Sequence, residues 1–396
     1  MIKHYFKVAF RNLWKYKSQT LISVVGLAVG FTCFALATLW IRYETTYDGF
    51  LKNANKLYCV LGPDANEDTG ISRNTGWLSV YLKMVFPEIK RATTISLQKY
   101  MKTITIDKKD YDNVEVIGID SSFLDMFGLK IIDGNKDFLI LANRKIAITR
   151  ESALKIFGNE PPIGKVITFG EHDFIVSAIV TGLPKHSNYR FDFLYGLYGG
   201  SSDGHAIIEL SPNVDVKAFE KKLYEHKNLI GAQIKEMSII PLTEIHYKDP
   251  NAEREVDFQH IVIFALAGSL VILCTLFNYL ALFISRFRIR RKEMALRMVF
   301  GASGRSLFTL LSIEFALALI IALSAGIFLI EIAFPSFQLL SKTGLELSSI
   351  YLEAIVYIIA IILISLLIFI FVLMIFRRRT LNAVIHKTNK NLFRKI

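Results

Sequence analysis

The stretch from Thr20 to Ile41 reads TLISVVGLAVGFTCFALATLWI, 22 residues without a charge. At about 1.5 Å per residue, a helix of this length crosses a hydrocarbon core about 30 Å thick. It predicts a membrane-spanning helix at residues 20–41. Signal peptides have apolar centres of only about 7–15 residues and a small-residue cleavage site. This run is longer and passes straight into Arg42-Tyr43-Glu44, so a retained anchor is expected. Three further apolar runs predict spans at 261–285, 307–334 and 354–376, the second of these carrying Glu314 and Glu331. More than 200 residues of mixed polarity separate the first span from the next.

Composition agrees with a membrane protein. Of 396 residues, 52% are hydrophobic and the mean hydropathy is +0.38, above the roughly 45–50% apolar usage of soluble domains. The three cysteines, Cys33, Cys59 and Cys274, are too few for a disulfide framework, and two sit inside apolar runs, which excludes redox chemistry as a theme.

A net charge of +12 raises the alternative of a nucleic-acid binder, and the placement of the charges decides against it. The N-terminal segment carries Lys3, Lys7, Arg11, Lys15 and Lys17. The link between spans two and three carries Arg286, Arg288, Arg290, Arg291, Lys292, Arg297 and Arg305, and the tail at 377–396 carries Arg377, Arg378, Arg379, Lys387, Lys390, Arg394 and Lys395. These nineteen cations face one acid, Glu293, and the rest of the chain is left with 28 basic and 34 acidic residues. Cations flanking spans are retained in the cytoplasm. Both termini and the link at 286–306 are therefore expected inside and the long segment outside, with no nucleic-acid partner. The expected fold is an α-helical membrane protein with four transmembrane helices and an α+β extracytoplasmic domain, residues 46–257, inserted between helices one and two.

Within residues 1–19, Phe6, Phe10, Leu13 and Trp14 recur at helical spacing, while Lys3, Lys7, Arg11 and Lys15 repeat every four residues on another face. The pattern suits an interfacial amphipathic helix on membrane lipids, or a basic flank that only fixes orientation. Gly26 and Gly30 form a Gly-x-x-x-Gly ridge that lets another helix approach closely. In the outer segment Lys102–Asp107, Val114–Ile119, Lys145–Thr149 and Phe174–Val180 are strand-like, and Glu151–Phe157 and Val216–Lys227 read as helices, the second capped by Asp215.

Catalytic signatures are missing from the sequence. Gly158 to Val166 (GNEPPIGKV) has one residue too many for a phosphate loop and lacks its Ser/Thr. The histidines form no metal-ligand pair, no catalytic or metal residue is assigned, and His172, His186, His205, His226 and His246 read as surface residues. No nucleophile elbow occurs. A non-catalytic chain is expected, with its energy supplied by another.

The link reads RFRIRRKEMALRMVFGASGRS, a helix-forming run with Glu293 and Arg297 at i,i+4 and Gly301 placed to end the helix. Such a helix serves either as an orientation anchor or as a coupling element seated in a partner's groove. Phe277-Asn278, Arg291-Lys292-Glu293, Arg297, Gly301-Ala302-Ser303 and Glu314 together resemble the signature of FtsX/MacB-type ABC transporter permeases. The start is similar too, in Phe6-Lys7, Arg11-Asn12-Leu13, Lys17 and the stretch from Gly26 to Gly30. In the outer segment Tyr47-Asp48-x-Phe50, Asp120 to Phe123 with Phe127, Gly134, Ala153 with Phe157-Gly158, Pro162 to Lys165 and Pro184 to Asn188 resemble the MacB-like periplasmic core domain.

The resemblance implies a permease subunit in the bacterial inner membrane that pairs with a second permease, as a homo- or heterodimer, and with a separate cytoplasmic ABC ATPase. No cofactor is then bound directly, and ATP and Mg act through that ATPase. Periplasmic or outer-membrane components are further partners it implies. Arg291, Lys292, Glu293, Arg297, Gly301 and Ala302 would form the ATPase contact, and Gly26, Gly30, Asn278 and Glu314 would pack helices, Glu314 either snorkelling or touching a partner. Export of peptide, antibiotic or lipid-linked cargo is the function this implies; the alternative is regulation of an extracytoplasmic cell-wall hydrolase. The tail departs from many relatives, ending FVLMIFRRRTLNAVIHK.

Overall fold

The computed structural model describes residues 2–63, 71–72, 75–97, 103–106, 108–169, 172–197, 204–226, 237–248, 258–289 and 304–341, with single positions at 293, 296, 300, 356, 359, 363, 367 and 371. The chain divides into two compact units, one formed by residues 1–42 and 259–396 and the other by 43–258.

Helix α1 (Ile2–Lys15) leads through the single turn residue Tyr16 into α2 (Lys17–Thr45), whose last three residues belong to the second unit. In the second unit the strands are β1 (Leu57–Pro63), β2 (Ile71–Ser72), β3 (Ile89–Leu97), β4 (Thr103–Ile106), β5 (Lys109–Asp112), β6 (Val116–Ile119) and β7 (Ile131–Gly134). They continue with β8 (Lys145–Thr149), β9 (Val166–Phe169), β10 (His172–Val180), β11 (Phe193–Gly196), β12 (His205–Leu210) and β13 (Ser238–Pro241). The helices here are α3 (Leu78–Val85), α4 (Ser122–Phe127), α5 (Arg150–Phe157), α6 (Val216–Glu225) and α7 (Ile245–Lys248). The chain then returns through α8 (Phe258–Ile289) and α9 (Gly304–Ser341).

All described strands join one mixed sheet in the order β13-β1-β12-β3-β6-β11-β8-β10-β9-β4-β5, with β2 on β1 and β7 on β10. Only β8 with β10 and β6 with β11 pair in parallel, and the other pairs are antiparallel. Successive side chains of a strand point to opposite faces, so a strand covered on both sides must be apolar throughout. β1 obeys this. Leu57, Cys59 and Leu61 enter a core with Phe123, Phe127, Phe138 and Tyr189, while Tyr58 and Val60 enter another with Leu78, Leu82, Phe86 and Phe219. In β12, Ile207 faces the first core, and Ala206 and Ile208 face the second. The fully buried polar residue of β12 is Glu209, opposite Arg91 of β3 and paired with it at 2.5 Å.

Three of the strands expected from β-branched content match β4, β6 and β8 to within about two residues, and the fourth lies inside β10. Asp215 caps α6 by accepting hydrogen bonds from the backbone of Lys217 and Ala218. One expectation is corrected. Of the five histidines read as surface residues, His186, His205, His226 and His246 are half-buried, because each ring finds a partner inside the unit, and His172 is exposed.

Among the described residues, three helices are long and apolar enough to cross a membrane: Lys17–Thr45, Phe258–Leu282 and Thr309–Ser341. Of the expected fourth span, Val356, Ile359, Leu363, Leu367 and Phe371 are helical and exposed, and the remainder lies outside the described residues.

Gly134 makes the second unit sensitive to a single methyl group. Its φ is +88° and an added Cβ would stand 2.1 Å from the Ser177 carbonyl oxygen, on the neighbouring strand β10. Gly134→Ala is expected to destabilise the unit by about 3 kcal/mol in denaturant unfolding. Gly128→Ala, at φ +69° with nothing within 4 Å of the new Cβ, should cost about 1 kcal/mol.

Candidate functional site

In a bilayer, lipid tails are as apolar as leucine, so helices associate through close packing and polar contacts rather than through the hydrophobic effect. α2 supplies both. Against α8, Gly30 leaves room for Thr275, whose side-chain atoms would lie 2.5–3.0 Å from a Cβ at Gly30. Gly268 of α8 faces Ala37, and Trp40 meets Phe264 at a ring distance of 4.7 Å. Against α9, Gly326 approaches the backbone of Ala28, and the Thr32 hydroxyl lies 3.1 Å from the Gly326 carbonyl and 2.9 Å from that of Ala28. Phe31, Leu27 and Phe315 complete this core.

The predicted packing residues therefore separate. Gly30 is filled from within the chain by Thr275, whereas Gly26 has nothing within 4 Å of a built Cβ. Asn278 is exposed on α8, beside the exposed Phe277. Glu314 is buried at 2% exposure rather than snorkelling, and accepts a hydrogen bond from Asn12 Nδ2 at 3.4 Å. A carboxylate at this depth needs a donor, and α1 provides one. The sequence gave Asn12 no role beyond the resemblance; a polar residue beside Ala9 and Leu13 on the apolar side of an amphipathic helix was the available signal.

Of the coupling residues, Arg291, Lys292, Arg297, Gly301 and Ala302 lie outside the described residues. Glu293 is helical and half-buried, Leu296 is helical, and the Phe300 amide donates to the Leu296 carbonyl at 3.0 Å. Leu296 and Phe300 are 58% and 86% exposed. At i and i+4 they share one face of a turn, so the link presents apolar surface among its cations.

In the second unit, two segments singled out by their resemblance, Tyr47-Asp48 and Pro184 to Asn188, meet at a buried polar cluster. Asp48 is fully buried in the left-handed region at φ +56°, and its carboxylate accepts from the Ser187 hydroxyl and from the backbone and side-chain amides of Asn188. Burial pushes the Asp48 carboxyl up from the ordinary carboxylate range, and these donors pull the other way. Because the Asn188 amide nitrogen faces Asp48, its oxygen faces His246 Nδ1 at 3.1 Å, while His246 Nε2 lies 2.7 Å from the Glu44 carboxylate. The ring thus meets an acceptor at each nitrogen. Tyr47 stacks on His246 with centroids 3.5 Å apart, and burial and its bond to Tyr43 drive its phenol well above the usual range. His186 stacks on Tyr43 and binds its carbonyl oxygen. Sequence reading missed this cluster because its members are 202 residues apart at the extremes, Glu44 and His246. Among the described residues no three His, Cys, Asp or Glu side chains stand together so as to hold a metal ion.

Apolar spans packed by small residues, carrying an α+β unit between the first and second, define a membrane protein of the permease class. Residues 20–225 match the family described as MacB-like periplasmic core domain, and residues 265–385 match the FtsX-like permease C-terminal family. The chain belongs to the FtsX/MacB-type family of ABC transporter permeases. It is 24% identical over 274 residues to the macrolide export ATP-binding/permease protein MacB of Aggregatibacter actinomycetemcomitans, a match covering 61% of this chain and 40% of that protein. This chain therefore spans less than half the length of that relative. Among solved structures it resembles a domain of a protein described as a permease from Porphyromonas gingivalis, with a TM-score of 0.40 and 19% identity over 48% of this chain and 92% of the other. It also resembles the periplasmic region of MacB from Actinobacillus actinomycetemcomitans, with a TM-score of 0.39 and 19% identity over 50% and 94%.

Two pairs of variants test these contacts. Gly30→Leu must displace Thr275 and is expected to lower the chain's own stability in detergent by about 2 kcal/mol in a thermal melt, whereas Gly26→Leu should leave it nearly unchanged. His246→Ala leaves the Glu44 carboxylate buried without this partner and should cost the second unit about 2–3 kcal/mol in denaturant unfolding. His246→Gln, which keeps a donor, should recover part of that loss.

Proposed function

We propose that this chain is the non-catalytic membrane subunit that couples ATP hydrolysis on a separate cytoplasmic ATPase to movement of its outer domain, exporting peptide, antibiotic or lipid-linked cargo from the outer face. The observation that carries the reading is the link after the second apolar helix, where Leu296 and Phe300 stand exposed in a basic segment. Exposed apolar residues at i and i+4 with a polar rim are the anchors of helix-in-groove docking. Arg291, Lys292, Glu293, Arg297, Gly301 and Ala302 surround them in sequence and supply that rim and the helix end.

In this reading the chain has four spans, with both termini in the cytoplasm of a bacterial inner-membrane protein, and works beside a second permease. Its charge distribution supports the orientation, and the helical positions from Val356 to Phe371, three or four residues apart, support the fourth span. ATP and Mg then act only through the partner. Physically the device is a two-state element biased by nucleotide bound elsewhere.

Glu293→Arg combined with Gly301→Leu tests the link. Membrane insertion and outer-domain folding should be retained, because an exposed i,i+4 pair contributes only about 0.2–0.5 kcal/mol. Copurification of the ATPase and nucleotide-driven activity should both drop at least tenfold, since a reversed charge and a bulky side chain enter the contact. Wild-type behaviour in both assays would leave the link as an orientation anchor.

A further inference from the structure

Helix α1 has its roll about its own axis fixed by a buried seat. Ala9 and Leu13 are buried, Asn12 donates to the buried Glu314, and the Tyr5 hydroxyl lies 2.9 Å from Ser306 Oγ, all at the beginning of α9. With the roll fixed, the outward half of the helix presents two stripes. Phe6, Phe10 and Trp14 are 47%, 60% and 75% exposed, and Lys7, Arg11 and Lys15, one residue further on and about 100° round the helix, are exposed as well. No Asp or Glu precedes Glu44 in the sequence, so nothing acidic in this part of the chain neutralises the cations.

We propose that α1 is a docking surface for anionic phospholipid. Aromatic side chains sit favourably at the boundary between acyl chains and headgroups, and a parallel cationic stripe gains where those headgroups carry net negative charge. Complementarity of charge chooses the lipid. A neutral leaflet satisfies Phe6, Phe10 and Trp14 but offers Lys7, Arg11 and Lys15 no net negative charge. Continuity chooses a membrane over an acidic protein. α1 joins α2, a span, through the single residue Tyr16, and rests on the first turns of α9, another span. It therefore lies at the end of this unit where both spans begin. Anionic lipid would hold α1 against α9 and so keep Asn12 over Glu314. The inference is independent of cargo and of the ATPase contact.

The protein has three tryptophans, Trp14, Trp40 and Trp77. A full-length variant carrying Trp40→Phe and Trp77→Phe reports from Trp14 alone. It is placed in nanodiscs of phosphatidylcholine and phosphatidylglycerol in which one lipid or the other carries brominated acyl chains. Quenching per mole of brominated lipid is expected to be at least twofold stronger from phosphatidylglycerol. With Lys7→Gln, Arg11→Gln and Lys15→Gln added, quenching should persist, but the ratio should fall to one. Equal quenching by the two lipids in the parent, or a preference that survives the triple substitution, would overturn the proposal. So would a Trp14 that neither lipid quenches, because a protein partner or a second copy would then cover this face.

Discussion

Inside a bilayer nothing drives two apolar helices together except the quality of their contact, and α2 meets that constraint with small residues where its neighbours cross it. Gly30 admits Thr275, Ala28 receives Gly326, and Ala37 lies under Gly268. Each places a backbone close to its neighbour, where dispersion contacts add and where the Thr32 hydroxyl reaches a carbonyl on α9. The buried Glu314 belongs to the same constraint. An acid at that depth persists because Asn12 is brought to it, which ties the amphipathic helix to the span it rests on.

The second unit solves a different problem. It holds a sheet covered on both faces, so strands such as β1 and β12 spend nearly every position on burial and leave their polar needs to a few residues. Glu209 is answered by Arg91, and Asp48 by Ser187 and Asn188. The cluster of Glu44, Tyr47, Asp48, Asn188 and His246 is satisfied group by group, which is the condition for a buried polar network to specify one arrangement rather than several. It joins the residues that follow the first span to the short helix that comes before the second.

The exposed Leu296 and Phe300, and the aromatic and basic stripes of α1, lie on segments flanking apolar helices.

The sequence by itself determined the apolar runs that fall within three long helices of the structure, the basic flanks and the family resemblance, because hydrocarbon thickness fixes the length of an apolar run. It determined β4, β6 and β8 and the Asp215 cap, which depend on neighbours a few residues away. It left β1 and β12 unread, since an apolar run buried on both faces has no alternation to reveal it. Which partner fills the gap at Gly30, what faces Glu314, and that His246 stands between Glu44 and Asn188 were decided only by the tertiary structure. Those contacts join residues 58 to 302 positions apart, and no local periodicity carries information over such a distance.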